Sequence, residues 1–371
     1  MVYTRRDFEK FAVATASAAA GLSIPEIARA AQNSKIDGVQ IGAITYSFRQ
    51  GVVKTELPAV MQKIGLSEVE LMSGDAEVIA GIPSTGGGGF GAGGGRGGSG
   101  RGGGRGDGAP VAMAPNGCPA NSPSGQHALA EAGQSPARGG GGRGAGPLTP
   151  EQEAAQKAVA DWRVAANAST WKGVRKKFND AGIDLQILCY NMGNTIKDDE
   201  IDYAFQMARD MGVRAISCSA TVTVAKRVAP FADKYKIMWG GHGHADVYDD
   251  EQFAKPATFR KIMSFSKYIG VNLDIGHFTA AGFDAVPFIT EVHGRITNIH
   301  LKDRTRPDQC GVSGNLVWGQ GQTPIKEVLL MMKKNKYTFP ANIELEYQVP
   351  RDSDSPAEVA KCYEFVKKCF A

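Results

Sequence analysis

The sequence predicts an α/β protein built as a (β/α)8 TIM barrel. Eight short apolar, β-branched runs recur along the chain, and a helical pattern follows each one. Such regular alternation suits a closed parallel barrel better than an open doubly wound sheet. No strand–GxGxxG–helix unit is present to argue for a dinucleotide fold, and "GQGQTP" at 319–324 reads only as a turn.

Strands are expected at 39–48, 68–72, 183–192, 213–220, 237–244, 271–277, 296–303 and 341–347. Helices are expected at 56–64, 149–179, 198–211, 224–234, 250–268, 285–292, 324–335 and 356–370. Thr149-Pro150-Glu151-Gln152 is a strong helix start: a capping hydroxyl, proline in the first turn and glutamine three positions after the cap. The last helix places Val359, Tyr363 and Val366 on one face.

Two segments stand apart from the barrel. Residues 1–30 carry twin arginines, Arg5 and Arg6, then Asp7, Phe8 and Lys10, an Ala-rich run and Ala28-Arg29-Ala30. This is the pattern of a twin-arginine (Tat) signal peptide, with cleavage after Ala30 and a periplasmic destination. Residues 84–147 hold 25 of the 47 glycines and almost no large apolar side chains, so burial cannot offset their ordering entropy. A disordered, flexible Gly/Arg-rich insertion after the second strand is expected. Its Arg-Gly units (Arg96, Arg101, Arg105, Arg143) resemble RNA-binding tracts, but an exported protein meets little RNA, and a net charge of +4 is too mild to imply a nucleic-acid partner. No run of 18 uninterrupted apolar residues is present, so no membrane span is expected. The six cysteines (118, 189, 218, 310, 362, 369) are scattered, and most should be small buried hydrophobes.

The ends of the last four strands collect polar groups. His242 and His244 end strand five, Asp274 and His277 strand six, His300, Lys302 and Asp303 strand seven, Glu344 and Glu346 strand eight. In such a barrel the C-terminal strand ends form the active face, so these side chains share one cavity. Imidazoles and carboxylates without thiolate suit a divalent ion such as Mn²⁺, Zn²⁺, Co²⁺ or Fe²⁺. Such an ion can bind a carbonyl and a neighbouring hydroxyl and stabilise an enediolate, while a nearby carboxylate moves the proton.

The segments "VNLDIGHFTAAG", "ITNIHLKD", "WGQGQTPIKEVLLMMKKNKYTFPANIELE" and "GVQIGAITYSF" resemble the sugar phosphate isomerase/epimerase superfamily. These are xylose isomerase-like TIM barrels that include inosose dehydratase and endonuclease IV. The resemblance covers about 36–83 and 165–370 and is nearest the inosose dehydratase branch. It implies Asp274, His300 and Glu344 as metal ligands, with Glu344 also the general base. It further implies that His277 contacts the sugar and that Glu70 matches a frequent family position; Glu70 and Asp303 are expected beside the substrate.

One departure changes the expected chemistry. Ketose epimerases carry a ligating, basic glutamate at the end of strand five, where this chain reads "WGGHGH". His242 takes the ligand place and His244 the next inward position, so the expected metal set is His242, Asp274, His300 and Glu344. A symmetric two-glutamate shuttle is lost, whereas isomerisation or elimination needs one base and an acid such as Lys302 or His244. The expected function is a metal-dependent isomerase or epimerase of a small sugar or keto-sugar. The alternatives are a lyase or dehydratase on a keto-sugar, keto-inositol or 3-keto-glycoside, and a non-catalytic carbohydrate-binding barrel.

Overall fold

The computed structural model describes residues 33–83, 112–133 and 149–371. The signal-like segment and most of the glycine-rich stretch lie outside the described residues.

A two-residue strand, Lys35–Ile36, pairs antiparallel with the start of the first barrel strand. Eight parallel strands then follow in chain order: β1 (Val39–Ile44), β2 (Glu68–Met72), β3 (Asp184–Cys189), β4 (Ala215–Cys218), β5 (Met238–His242), β6 (Ile269–Asp274), β7 (Ile296–Leu301) and β8 (Ala341–Ile343). Each pairs with its successor, and β8 pairs back onto β1, so the sheet closes. Closure removes every edge, and all eight strands are almost wholly buried. Helices pack outside, and a continuous apolar core runs from Val39 to Cys369.

Helices at Asp198–Met211 and Ala285–Val292 occupy the expected residues. The long helix expected at 149–179 is instead two, Pro150–Ala165 and Ala168–Asp180. Ala166 is extended and Asn167 accepts from the Ser169 amide, which starts a second helix where one was expected. The helix expected at 250–268 is confined to Pro256–Met263, and the strand expected to reach His277 stops at Asp274. There the Asp274 carboxylate accepts from the His277 amide at 2.7 Å and caps a six-residue helix, Ile275–Ala280. A strand-ending carboxylate thus doubles as a helix cap.

The expectation of one featureless loop across 84–147 is corrected for 112–133. Pro123–Glu131 is a helix capped by Ser122, and Cys118 is disulfide-bonded to Cys310, 192 positions away on the segment after β7. The Ser124 amide also donates to the Cys310 carbonyl, and the His127 ring packs on Tyr248 after β5. Sequence alone missed this pairing because the two cysteines share no motif and the bond is purely tertiary. The other four cysteines are free and buried. Non-reducing peptide mapping should therefore recover a Cys118–Cys310 crosslinked peptide. Mild reduction should open those two thiols to alkylation while Cys189, Cys218, Cys362 and Cys369 react only after unfolding; alkylation of Cys118 and Cys310 without reductant would refute the link.

Candidate metal centre

The expected ligand set converges. One donor atom each from His242, Asp274, His300 and Glu344 lies within 4.8 Å of the others, and all four residues are buried. Strand register explains why. Asp274 pairs with His300 across β6 and β7, and Glu344 continues β8 with its amide bonded to the Leu301 carbonyl. Three neighbouring strands thereby raise their side chains to one level.

The His300 ring lies between two carboxylates. Its Nδ1 is 2.8 Å from a Glu344 oxygen and its Nε2 is 2.6 Å from a Glu70 oxygen. Carboxylate oxygens only accept, so both ring nitrogens donate and the ring is an imidazolium. Burial works to lower its pKa, but Glu70 and Glu344 outweigh it and hold His300 well above the ordinary value. Burial takes His242, His244 and His277 the other way, so these rings are neutral.

Lys302 completes the balance. Its ammonium sits 2.9 Å from Asp274, 2.9 Å from Glu344 and 2.7 Å from Glu346. Burial would lower its pKa, but the three carboxylates raise it, so Lys302 stays charged. Its stem has room because Gly276 lies beside it: a Cβ there would fall 2.2 Å from the Lys302 Cγ. Burial pushes Asp274 up to about 7 against the pull of Lys302. Burial also opposes ionisation of Glu344, yet Lys302 and His300 win and hold it well below the carboxylate range.

A divalent ion fits this donor set. One Asp274 oxygen, Oδ2, is buried without an aligned hydrogen bond and faces cations, the Lys302 ammonium at 2.9 Å and His300 Nδ1 at 3.9 Å. The protons on His300 Nδ1 and Asp274 hold places a cation can take, and His300 Nε2–H would then remain on Glu70, the outer carboxylate that ligating histidines require.

Other expected residues land differently. Glu70 is fully buried under His300 and also accepts from Ser217 and Asn298, so it supports the ring. The Asp303 carboxylate accepts from the amides of Gly319, Gly321 and Thr323, which holds the "GQGQT" loop in place. Both of its oxygens are thus used on backbone. His277 sits at the mouth; its Nδ1 accepts from Arg304 at 2.5 Å, which leaves its proton on Nε2, 3.8 Å from Glu346. His244 packs its ring against His242 and His277. Arg304 was not foreseen; it is buried, its Nε has no partner, and it makes no ion pair among the described residues. A signal for the deeper layer exists in the sequence. Glu68, Asn272, Asn298 and Asn342 each stand two residues before a site residue, on the same strand face.

Residues 143–369, more than half of the chain, match the model of the xylose isomerase-like TIM barrel family, and the protein belongs to that family. Among solved structures, its fold is similar to a sugar phosphate isomerase/epimerase from Parabacteroides distasonis ATCC 8503, at 11% identity and a TM-score of 0.51, over 96% of this chain and 99% of that one. It is also similar to the probable 3-DHS dehydratase AsbF of Bacillus anthracis, involved in petrobactin synthesis, at 10% identity and a TM-score of 0.50, over 88% and 98%. A third is the IOLI protein with a bound zinc atom, at 11% identity and a TM-score of 0.50, over 89% and 96%. At these identities the likeness speaks to fold alone. Among curated proteins, none matches the chain.

Because Asp274 and His300 hold protons that a cation must displace, uptake of Zn²⁺ or Co²⁺ should release protons and weaken as pH falls below about 7. Calorimetry in two buffers of different ionisation enthalpy checks this. Asp274→Ala and His300→Ala should each abolish uptake; binding that ignores pH and survives both changes would place the ion elsewhere.

Proposed function

We propose that the protein is a metal-dependent isomerase or epimerase of a small sugar or keto-sugar. The observation that carries this reading is a four-donor cluster with a further carboxylate, Glu346, beside it and outside the ligand set. A divalent ion bound there supplies Lewis-acid polarisation of a substrate carbonyl. The remaining work falls to the protein's own side chains.

Glu346, not Glu344, is the better proton carrier. The sequence ranked Glu344 first because it ends the eighth strand. Both carboxylates pair with Lys302, but Glu344 is also bonded to His300 and is held well below the carboxylate range, which suits a ligand better than a base. The Glu346 side chain is 17% exposed against 6% for Glu344, so it reaches the mouth where substrate enters. We assign to Glu346 the removal of a proton from the carbon next to the carbonyl. In isomerisation it returns that proton to the former carbonyl carbon while the hydroxyl proton passes to the former carbonyl oxygen. In epimerisation the same carbon is reprotonated on its other face by a second donor. Lys302, always charged, steadies the carboxylates and the oxyanion that develops on substrate. His277 offers its Nε2–H to a sugar hydroxyl.

One observation favours a second reading, a lyase or dehydratase on a keto-sugar, keto-inositol or 3-keto-glycoside. Beside Glu346, among the described residues, stand two neutral imidazoles, His277 at 3.8 Å and His244 packed against it, in place of a second free carboxylate. In that chemistry Glu346 takes the carbon-bound proton and hands it to the oxygen that departs as the neighbouring carbon–oxygen bond breaks, so one carboxylate serves as base and then acid. The fold neighbours include both an isomerase/epimerase and a dehydratase, so the scaffold is compatible with either. Carbon-bound deuterium entering recovered sugar from D₂O, without loss of water or aglycone, selects the isomerase; loss of either selects the lyase.

We also propose export by the twin-arginine route, with Arg5-Arg6 as the signal. The Cys118–Cys310 disulfide supports an oxidising destination.

Two experiments test these assignments. Glu346→Gln should keep the metal and lose turnover by about 10²–10⁴, the range for a lost general base. Glu344→Gln should lose metal first. Near-normal turnover in Glu346→Gln, with a dead but metal-loaded Glu344→Gln, would return the base to Glu344. For export, replacing Arg5 and Arg6 by lysine should trap precursor in the cytoplasm, and unchanged export would overturn the signal reading.

A further inference from the structure

A ligating imidazole must present a bare nitrogen to the ion, and which nitrogen is bare depends on what the other one donates to. His242 and His300 stand on different strands, yet both are connected to one buried carboxylate. Glu70 on β2 is fully buried and accepts three hydrogen bonds, from His300 Nε2, from the Ser217 hydroxyl and from Asn298 Nδ2 at 2.7 Å.

That last bond fixes the orientation of an amide. A carboxylate cannot donate, so Asn298 must turn its NH₂ toward Glu70; the same NH₂ reaches the Asn342 Oδ1 at 3.0 Å. The Asn298 oxygen then faces the other way, where it accepts from Asn272 Nδ2 at 2.7 Å and from the Thr297 hydroxyl at 3.0 Å. With its NH₂ committed, Asn272 offers its oxygen to His242 Nδ1 at 2.6 Å. The only proton of a neutral His242 ring is thereby required on Nδ1, and Nε2 is bare. Asn272 and Asn298 are fully buried, so water offers no competing partner that would let either amide turn over.

We infer that Glu70 selects the ligating nitrogen of both histidines: directly at His300, and at His242 through the oriented amides of Asn298 and Asn272. Asn272, Asn298 and Glu70 are then positioning residues that act through the imidazoles and touch neither ion nor substrate. The consequence for metal affinity rests on the reading of the cluster as a metal site, whereas the tautomer itself does not.

The test begins with metal-free protein labelled with ¹⁵N in histidine only. Long-range ¹H–¹⁵N correlation spectra distinguish an Nδ1–H ring from an Nε2–H ring, with His242→Gln identifying the signal. The wild type should show His242 protonated on Nδ1; protonation on Nε2 would overturn the inference outright. Asn298→Leu, which removes a residue that makes no hydrogen bond to His242, should admit the Nε2–H tautomer and weaken Co²⁺ binding by about 10–100-fold. Asn272→Leu should do the same, while Asn272→Asp keeps an acceptor for the Nδ1 proton and should restore both tautomer and affinity. If Asn298→Leu folds but leaves spectrum and Co²⁺ affinity unchanged, the relay is refuted. If it does not fold, the Asn272 pair decides, and equal behaviour of Asp and Leu refutes it. Correct tautomers with no Co²⁺ uptake in any protein would leave the orientation chain standing and remove the metal reading instead.

Discussion

Everything at the mouth of this barrel depends on compensating buried negative charge. Asp274, Glu344 and Glu70 are all removed from water within a few ångströms of one another. Uncompensated, such a group would cost several kcal/mol or take up a proton. The protein answers with Lys302, which reaches three carboxylates at once, and with His300, which holds a proton between two. The donor atoms of His242, Asp274, His300 and Glu344 already lie within 4.8 Å of one another, close enough for a divalent ion to take over part of that role. The same compensation explains the split between neighbouring acids. Burial raises Asp274 to about 7 despite Lys302, while Lys302 and His300 together outweigh burial at Glu344 and hold it low.

Holding those cations in place requires close packing around them. Gly276 leaves space for the Lys302 stem, and Asp303, next in sequence to Lys302, ties the loop at 319–323 to the end of β7. Leu316 and Gln322 add backbone bonds to Asp303 and Arg304, so the segment after β7 is fastened at several points near its start. Further along it, Cys310 is joined to Cys118. A segment that contributes no ligand is therefore still bonded to the strand that carries His300 and Lys302. This is a common economy in barrels: the scaffold sets the height of the side chains, and the loops set what may approach them.

Much of the barrel was legible because its signals are local. Alternating apolar runs and helical patterns give strand and helix positions by periodicity alone, and two helices fell on the expected residues. The four-residue cluster of His242, Asp274, His300 and Glu344 was legible for a related reason: polar residues that end apolar strands have nowhere to go except a shared cavity. Helix boundaries at 166 and 264 were not legible, since a cap and a turn there override a continuing pattern. Glu70 and Asp303 were legible as polar strand residues, but their hydrogen-bond partners were not. Both are acidic residues at active strand ends, and only the fold shows that one lies beneath His300 and the other beneath a loop.

The sequence by itself determined the closed eight-strand architecture and which strands bring imidazole and carboxylate to the C-terminal face. Those properties follow from composition and spacing along a single strand, where the two-residue period decides which side chains share a face. Tertiary structure decided the division of labour among the acids, because acidity depends on which cations lie across the barrel from each group. It also decided the Cys118–Cys310 link and the amide chain from Glu70 to His242, since both join residues from strands or segments far apart in sequence. A one-dimensional pattern records what each strand offers; only closure of the sheet determines which offers meet.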